Sequence, residues 1–573
     1  MEQPRVGEHT HYTLLPTAAP ALTPPKQTMS ANARSHDFFA KGNGRNAWLT
    51  LMIPAIFALA LYCVPLPQDH VLSIHESVLP QTARTMSHNG DWLIPRRDAI
   101  APWLENPPLP QWVTIALCTL ADTCSQAWVA RLATGITGAL VVLLVTLMAA
   151  RLFGNAVGLL SGLTMATSYE VVRYATLAED EIFLALTSAT AMTCFVFAEF
   201  GMSKTYSSEP ILNRGGASRV WGSRPWLIVA FFATAGLTNL TKGMGFGPMM
   251  VLIPVFCFVL LSWNRARFRR YLWAFGVLIF LLIGLWWPVA VILKIPGALE
   301  VWVYDLFGRA SGDYALMSKP FWYYGIALAQ VTAPWILLAP LAFVATWREA
   351  FYNRHSPERF LWVWALSVPL VLSFFSGKHH HYLLHCVAPW SILAALGLRH
   401  LGCRFAVITR SPKAATAVLF GFLAVIYGVL LSTHKTVHHE DGVFLRKVAK
   451  TFPSGPFLVD QSVTDLHKGF QVQFYLPDRH TRGLHNLSFL RSSEITQDRV
   501  YVITEHGRRG ELTHFGDTRL LLQSEKTGRQ EGPDTLLTLF ELTYHQDLER
   551  VATAKLRITP MQAMYRSPGP VLE

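Results

Sequence analysis

The feature that most limits what this 573-residue chain can become is its succession of long apolar runs. A helix of about 20 mostly apolar residues crosses roughly 30 Å of hydrocarbon. The run at 47–65 is the first of that length, and those at 272–293 and 321–346 are the clearest later ones. Charged residues make up only 15% of the chain, against about 25% in an average soluble domain. Mean hydropathy is +0.29. A soluble globular fold is excluded, and the lipid bilayer is this chain's main solvent.

The expected fold class is therefore an α-helical polytopic membrane protein of about 11 to 13 transmembrane helices. Spans are read near 46–65, 127–150, 155–172, 180–200, 225–241, 245–263, 271–294, 321–346, 359–376, 382–402 and 414–432. The apolar stretch 108–121 is too short to span and reads as interfacial or re-entrant. With that choice, one set of loops collects Arg151, Lys204, Arg214, Arg265, Arg267, Arg269, Arg270, Arg348 and Arg404. The opposite set collects Glu76, Asp91, Glu105, Glu179, Asp180, Glu181, Glu300 and Asp305. Basic loops stay inside. Arg84, Arg96, Arg97 and Arg173 are exceptions on the acidic side. The segments at 66–126, 173–181, 295–320 and 377–381 are then outside.

Three parts follow. Residues 1–45 lack periodicity and read as a disordered cytoplasmic tail. Residues 46–432 form the transmembrane part, with a large first outer segment at 66–126. Residues 433–573 form a small extramembrane α/β domain on the outer side, with strands expected at 457–460, 471–476, 500–504 and 520–523. The net charge of +12 is spread over short loops as orientation signals, so no nucleic acid partner is expected. Seven cysteines lie mostly in apolar runs without a CxxC pair, which suggests neither a zinc site nor a disulfide.

Ionisable groups recur at the outer membrane boundary, where they are costly unless hydrated or paired. Glu179-Asp180-Glu181 heads a helix, where carboxylates are favoured in any case. Lys242 ends a helix in Leu240-Thr241-Lys242-Gly243, a position that also suits a snorkelling lysine. Lys378 precedes His379-His380-His381-Tyr382, and three adjacent histidines rarely meet on one metal. Together with Arg309, this mixture fits a site that holds a phosphate and activates a hydroxyl. It also fits an ion or solute pathway, so residue chemistry alone leaves both open.

The first outer segment reads His75-Glu76, Ala83-Arg84-Thr85-Met86, Gly90-Asp91-Trp92-Leu93-Ile94-Pro95-Arg96 and Glu105-Asn106-Pro107-Pro108-Leu109-Pro110-Gln111-Trp112. With Ala178-Glu179-Asp180, the LTKG string, a PFWYY string at 320–324 and Lys378 to Tyr382 and Leu384, this order resembles the lipid-carrier-dependent GT-C glycosyltransferases. The nearest likeness is to the aminoarabinose (lipid A) transferase and bacterial protein mannosyltransferase group. The resemblance covers about 70 to 395 and implies a bacterial inner-membrane enzyme with a periplasmic C-terminal domain. It implies inverting transfer of a sugar from a polyprenyl-phosphate donor to a membrane lipid, glycan or protein acceptor. It further implies Glu76 or Asp180 as the base, with His75 as alternative. Lys242, Lys378 and Arg309 are expected on the donor phosphate. Glu105 is expected on substrate or a divalent metal ion, and Tyr382 in the donor pocket. Two departures stand out: His75 occupies the place of the family's first-loop Asp, and Asn106 that of a Lys. The alternatives are a carrier-lipid-binding homologue impaired in catalysis, or a transporter or flippase.

Overall fold

The computed structural model describes residues 47–68, 70–98, 102–200, 225–243, 245–311, 319–402, 411–433, 440–452, 457–460, 468–477, 481–485, 487–492, 495–525 and 533–545. The expected tail at 1–45 lies outside them. The helices are α1 (Ala47–Tyr62), α2 (Val78–Asn89), α3 (Leu109–Leu120), α4 (Ala127–Phe153), α5 (Asn155–Ala166), α6 (Tyr169–Thr176), α7 (Glu181–Glu199), α8 (Pro225–Thr238), α9 (Phe246–Ser262), α10 (Arg265–Tyr271), α11 (Ala274–Lys294), α12 (Ala298–Ser311), α13 (Tyr323–Val331), α14 (Ala339–Tyr352), α15 (Pro357–Leu372), α16 (Val387–Gly402), α17 (Pro412–Thr433), α18 (Glu440–Thr451), α19 (Lys468–Tyr475) and α20 (Arg509–Leu512). Among the described residues, six helices are long and apolar enough to cross a membrane, and the bent pair α13 and α14 makes a seventh if it counts as one span. Four shorter apolar helices accompany them, α3 among them.

Helix bodies pack closely because lipid supplies no hydrophobic drive between helices, and small residues let backbones approach. A Cβ at Gly162 would lie 2.1 Å from Thr146 Oγ1, so α5 meets α4 only because this position is bare. Phe195 of α7 centres an aromatic cluster with Phe231, Phe258, Tyr271 and Phe360.

Two expected spans are broken. The span at 155–172 divides between α5 and α6, where the Thr167 and Ser168 hydroxyls bond back to the Leu163 and Thr164 carbonyls and compete with the helical ladder. The span at 321–346 bends by 103° between α13 and α14. Pro334 lies at that break, and its ring has no N–H to continue the ladder. The freed Ala333 carbonyl instead accepts from Tyr169 N at 2.9 Å. The two breaks thus meet, and α6 is set as a separate short helix beneath the outer surface.

The C-terminal part is the expected α/β unit. Its strands β1 (Phe457–Asp460), β2 (Thr481–His485), β3 (Arg499–Glu505), β4 (Gly516–Gln523) and β5 (Leu537–Tyr544) form one sheet in the order β2-β1-β3-β5-β4. β1 runs parallel to β2 and β3, while β5 is antiparallel to β3 and β4. Phe444, Leu445 and Val448 of α18 cover one face with Val472 of α19. The stretch 471–476, expected as a strand, is helical and belongs to α19. Its residues are buried on all sides, Val472 on the sheet and Phe470 on Trp103, so no period of two survives to mark it as helix or strand.

α19 also ties this unit to the first outer segment. Arg84 donates to the Gln473 and Phe474 carbonyls, Gln471 Nε2 donates to Leu72 O, and Leu72 N donates to Tyr475 Oη. A second correction concerns cysteine: Cys118 and Cys124 form a disulfide. The chain turns back after α3 and brings their Cα atoms to 4.9 Å, a spacing that sequence separation does not reveal.

The deepest anchor of the outer segment is ionic. Glu76 is fully buried and holds Arg131 of α4 with both oxygens, at 2.9 and 3.1 Å. The same oxygens accept from Ser73 N and Ala178 N. Burial alone would raise the Glu76 carboxyl, but Arg131 and these bonds outweigh it and hold it below the usual carboxylate range. Glu76→Gln leaves Arg131 buried with half its partner gone and is expected to cost about 3–5 kcal/mol. Glu76→Gln/Arg131→Met should cost less than the sum of its parts, read by thermal unfolding in detergent. Because the carboxyl is depressed, its stabilisation is present above the ordinary carboxylate pKa and lost as pH falls through the lowered one. Arg84→Ala should cost about 2 kcal/mol, by removing charge-assisted bonds to two carbonyls. Limited proteolysis should then release the C-terminal unit faster.

Candidate active site

The outer ends of these helices enclose a cavity of about 580 Å³. The string Gly90–Arg96 is not among the residues that line it and forms a turn that leads to them. Gly90 ends α2 at φ +67°. Asp91 Oδ1 then caps the turn by accepting from Leu93 N and Ile94 N. Trp112 and Trp287 donate their indole N–H groups to the Trp92 and Leu93 carbonyls, and Trp302 does so to Leu104. The chain is thereby pinned so that Trp103, Glu105 and Asn106 line the cavity.

Lys242 arrives on a turn between α8 and α9 that only glycine accommodates easily, with φ of +36° at Gly243 and +80° at Gly245. Asn239 Oδ1 accepts from Gly245 N and closes that turn. Lys242 Nζ lies 2.5 Å from Glu181 Oε1 and 3.6 Å from Asp180 Oδ1. All three side chains are less than a fifth exposed. Burial pushes the Asp180 carboxyl up to about 8, aided by the Glu181 charge and opposed by Lys242. Glu179 is raised for the same first reason, with Glu181 and Glu76 adding to it. Burial works against the Lys242 charge, but Asp180 and Glu181 more than offset this and hold it above the usual lysine range. Asp180 Oδ2 is buried without a partner among the described residues.

The histidine run forms the adjoining wall. His381 Nε2 is 3.7 Å from Glu181 Oε1, and its ring stacks on His379 at 5.0 Å. Tyr382 packs between His381 and Phe246. His380 turns the other way, toward α6, where its Nδ1 lies 2.6 Å from Oε1 of the fully buried Glu170.

Of the residues expected from sequence, His75, Glu105, Asp180, Lys242 and Tyr382 come together on the cavity wall. Glu76 does not line it, because both of its oxygens are committed to Arg131 and the backbone. Lys378 is buried away from it and donates to the Lys319 carbonyl at 2.9 Å. The Arg309 side chain lies outside the described residues. Arg173, Gln111 and Glu170 were missed, while Glu181 and His380 were named as boundary groups without a role. Their signal was present, since Arg173 broke the charge segregation and Glu170 lies in an apolar run. Among the described residues no three His, Cys, Asp or Glu side chains converge for a metal ion. Lys242 stands between the carboxylates of Asp180 and Glu181.

Residues 105–207 match the family model described as dolichyl-phosphate-mannose-protein mannosyltransferase. The chain is 27% identical over 361 residues to an undecaprenyl phosphate-alpha-4-amino-4-deoxy-L-arabinose arabinosyl transferase of Sodalis glossinidius, covering 61% of this chain and 59% of that protein. It is 30% identical over 360 residues to the transferase of that name from Edwardsiella ictaluri, covering 61% and 58%. The chain thus matches somewhat less than two thirds of the length of these curated relatives. Its structure is similar to ArnT from Cupriavidus metallidurans bound to undecaprenyl phosphate, with TM-score 0.69, 18% identity and coverage of 88% and 99%. It is also similar to the Archaeoglobus fulgidus oligosaccharyltransferase, with TM-score 0.52, 14% identity and coverage of 81% and 70%. In fold the chain is similar to ArnT, and over about 61% of its length its sequence is similar to that of the aminoarabinose arabinosyl transferases.

Proposed function

We propose that this chain is an inverting glycosyltransferase that moves a sugar from a polyprenyl-phosphate donor to a membrane lipid, glycan or protein acceptor. The observation that carries the reading is a buried lysine at the head of a cavity with otherwise largely aromatic and carboxylate walls. That arrangement suits an anionic phosphate followed by a sugar. The relatives named as undecaprenyl-phosphate-dependent transferases support it, as does the fold shared with a protein that binds undecaprenyl phosphate. The reaction would take place on the periplasmic face of a bacterial inner membrane. The segregation of basic loops supports that side, and so does the Cys118–Cys124 disulfide in the first outer segment.

In this reading Lys242 Nζ donates to the donor phosphate and stabilises its charge as the bond to the anomeric carbon breaks. Polyprenyl phosphate leaves as an anion and needs no proton. Asp180, expected from sequence as a base, lies 3.6 Å from Lys242 and so belongs to the phosphate's end of the cavity. At neutral pH its raised carboxyl is mainly protonated, which leaves Lys242 balanced by Glu181 alone. Above about 8 a second carboxylate appears beside the phosphate and repels it.

The test is transfer of radiolabelled sugar from polyprenyl-phosphate donors in membranes that contain the full chain. Lys242→Ala should raise the donor KM roughly 10- to 100-fold, the worth of a hydrogen bond between charged groups. Donor KM in the wild type should rise as pH passes 8, and Asp180→Asn should remove that rise while keeping transfer. Loss of transfer in Asp180→Asn would return the base role to Asp180. No transfer from any donor by the wild type would overturn the reading.

A further inference from the structure

The Lys242 group leaves one requirement of inversion unmet. The attacking oxygen approaches the anomeric carbon from the face opposite the leaving phosphate, so its base sits away from the phosphate's cation. His380 offers an imidazole outside that ion-pair group. It lines the cavity, it takes no part in the ion pairs of Lys242, and the His381 ring stands beside it at 5.7 Å, on the side of Glu181. Its Nδ1 is held at 2.6 Å by Glu170, a carboxylate with no exposure, on the separate short helix α6. A carboxylate only accepts hydrogen bonds, so this contact puts the neutral ring's proton on Nδ1 and the lone pair on Nε2. Glu170 Oε2 is buried with no hydrogen-bond partner among the described residues, and the Arg173 charge on the same helix acts on this carboxylate. Arg173, Tyr174, Tyr323, His379 and His381 are titratable groups nearby.

We propose that His380 is the general base of the transfer, that Glu170 positions it, and that the acceptor nucleophile is therefore a hydroxyl rather than a phosphate. This rests on the transferase reading above. A phosphate monoester is already anionic at neutral pH and needs no base, whereas a sugar or side-chain hydroxyl does. Nε2 takes the hydroxyl proton as the acceptor oxygen bonds to the anomeric carbon. The bond from that carbon to the phosphate oxygen breaks, and its electron pair leaves with the polyprenyl phosphate. The imidazolium charge is matched by Glu170, as in carboxylate–imidazole pairs of other enzymes.

The experiment uses the full chain in membranes, a radiolabelled polyprenyl-phosphate sugar, and two soluble acceptors, an alkyl glucoside and an alkyl phosphate. The wild type should label the glucoside. His380→Ala should lose that transfer by about 100-fold or more, with donor KM unchanged, and added imidazole should restore part of it. Glu170→Gln should lower kcat and shift its pH profile, which a merely structural contact would not do. Carrier-lipid binding by each variant checks that it folds. Full activity in His380→Ala would overturn the proposal, as would loss without imidazole rescue or labelling of the alkyl phosphate alone. If the wild type labels neither acceptor, the transferase reading itself fails.

Discussion

A charge removed from water must find its opposite, and the outer half of this protein is arranged around that constraint. Apolar helix bodies in lipid set little register, because one leucine-rich face packs on another almost as well as on lipid. The ion pairs at the helix ends select one arrangement. Glu76 on Arg131 joins the first outer segment to α4 and, through Ala178 N, to the loop that carries Glu179 and Asp180. Lys242 on Glu181 joins the α8–α9 turn to α7, and Glu170 on His380 joins α6 to the turn before α16. At the opposite end Glu199 gathers Arg267 and Arg270 in the same way. Removing Glu76 leaves Arg131 buried without a carboxylate, and removing Glu199 leaves Arg267 and Arg270 without theirs. Each pair therefore specifies which loops meet at the cavity as well as how firmly.

The C-terminal unit takes part in that arrangement. Phe470 of α19 packs edge-on against Trp103 at 4.8 Å, and Val78 completes the contact. Trp103 and Val78 also line the cavity. The same helix binds Arg84 through two backbone carbonyls. One wall of the cavity is thus braced by a unit whose own core lies in a separate sheet.

Much of this was legible in the sequence, because hydropathy and charge segregation report directly on solvent. The apolar runs became helices, and the motif order brought His75, Glu105, Asp180, Lys242 and Tyr382 to one cavity. Pairing was harder to read. Glu76 and Asp180 look alike as carboxylates near a membrane boundary, and only Arg131 separates their roles. That arginine lies near the start of an apolar run and was itself the signal for a buried partner. The breaks at Thr167–Ser168 and Pro334 were masked by hydropathy, which is blind to the hydroxyl bonds and the missing N–H that end a ladder. Gly90–Arg96 is the most specific string in the chain, yet its specificity is that of a turn and its indole contacts.

The departure at Asn106 can be weighed by the charge around the cavity. Its described walls carry four carboxyl groups, Glu105, Glu179, Asp180 and Glu181, against two permanent cations, Arg173 and Lys242. Fully ionised, they would present a net charge of about −2 to an anionic donor, which is repelled more strongly in a poorly hydrated site. Burial answers this in part by raising Asp180 to about 8 and Glu179 above the usual carboxylate range. A protonated Asp180 alone brings that charge to about −1 without a lysine at 106. A cavity that lowers its own negative charge by taking up protons needs fewer fixed cations, and in the transferase reading proposed above the raised carboxyls are what lets an uncharged residue stand at position 106.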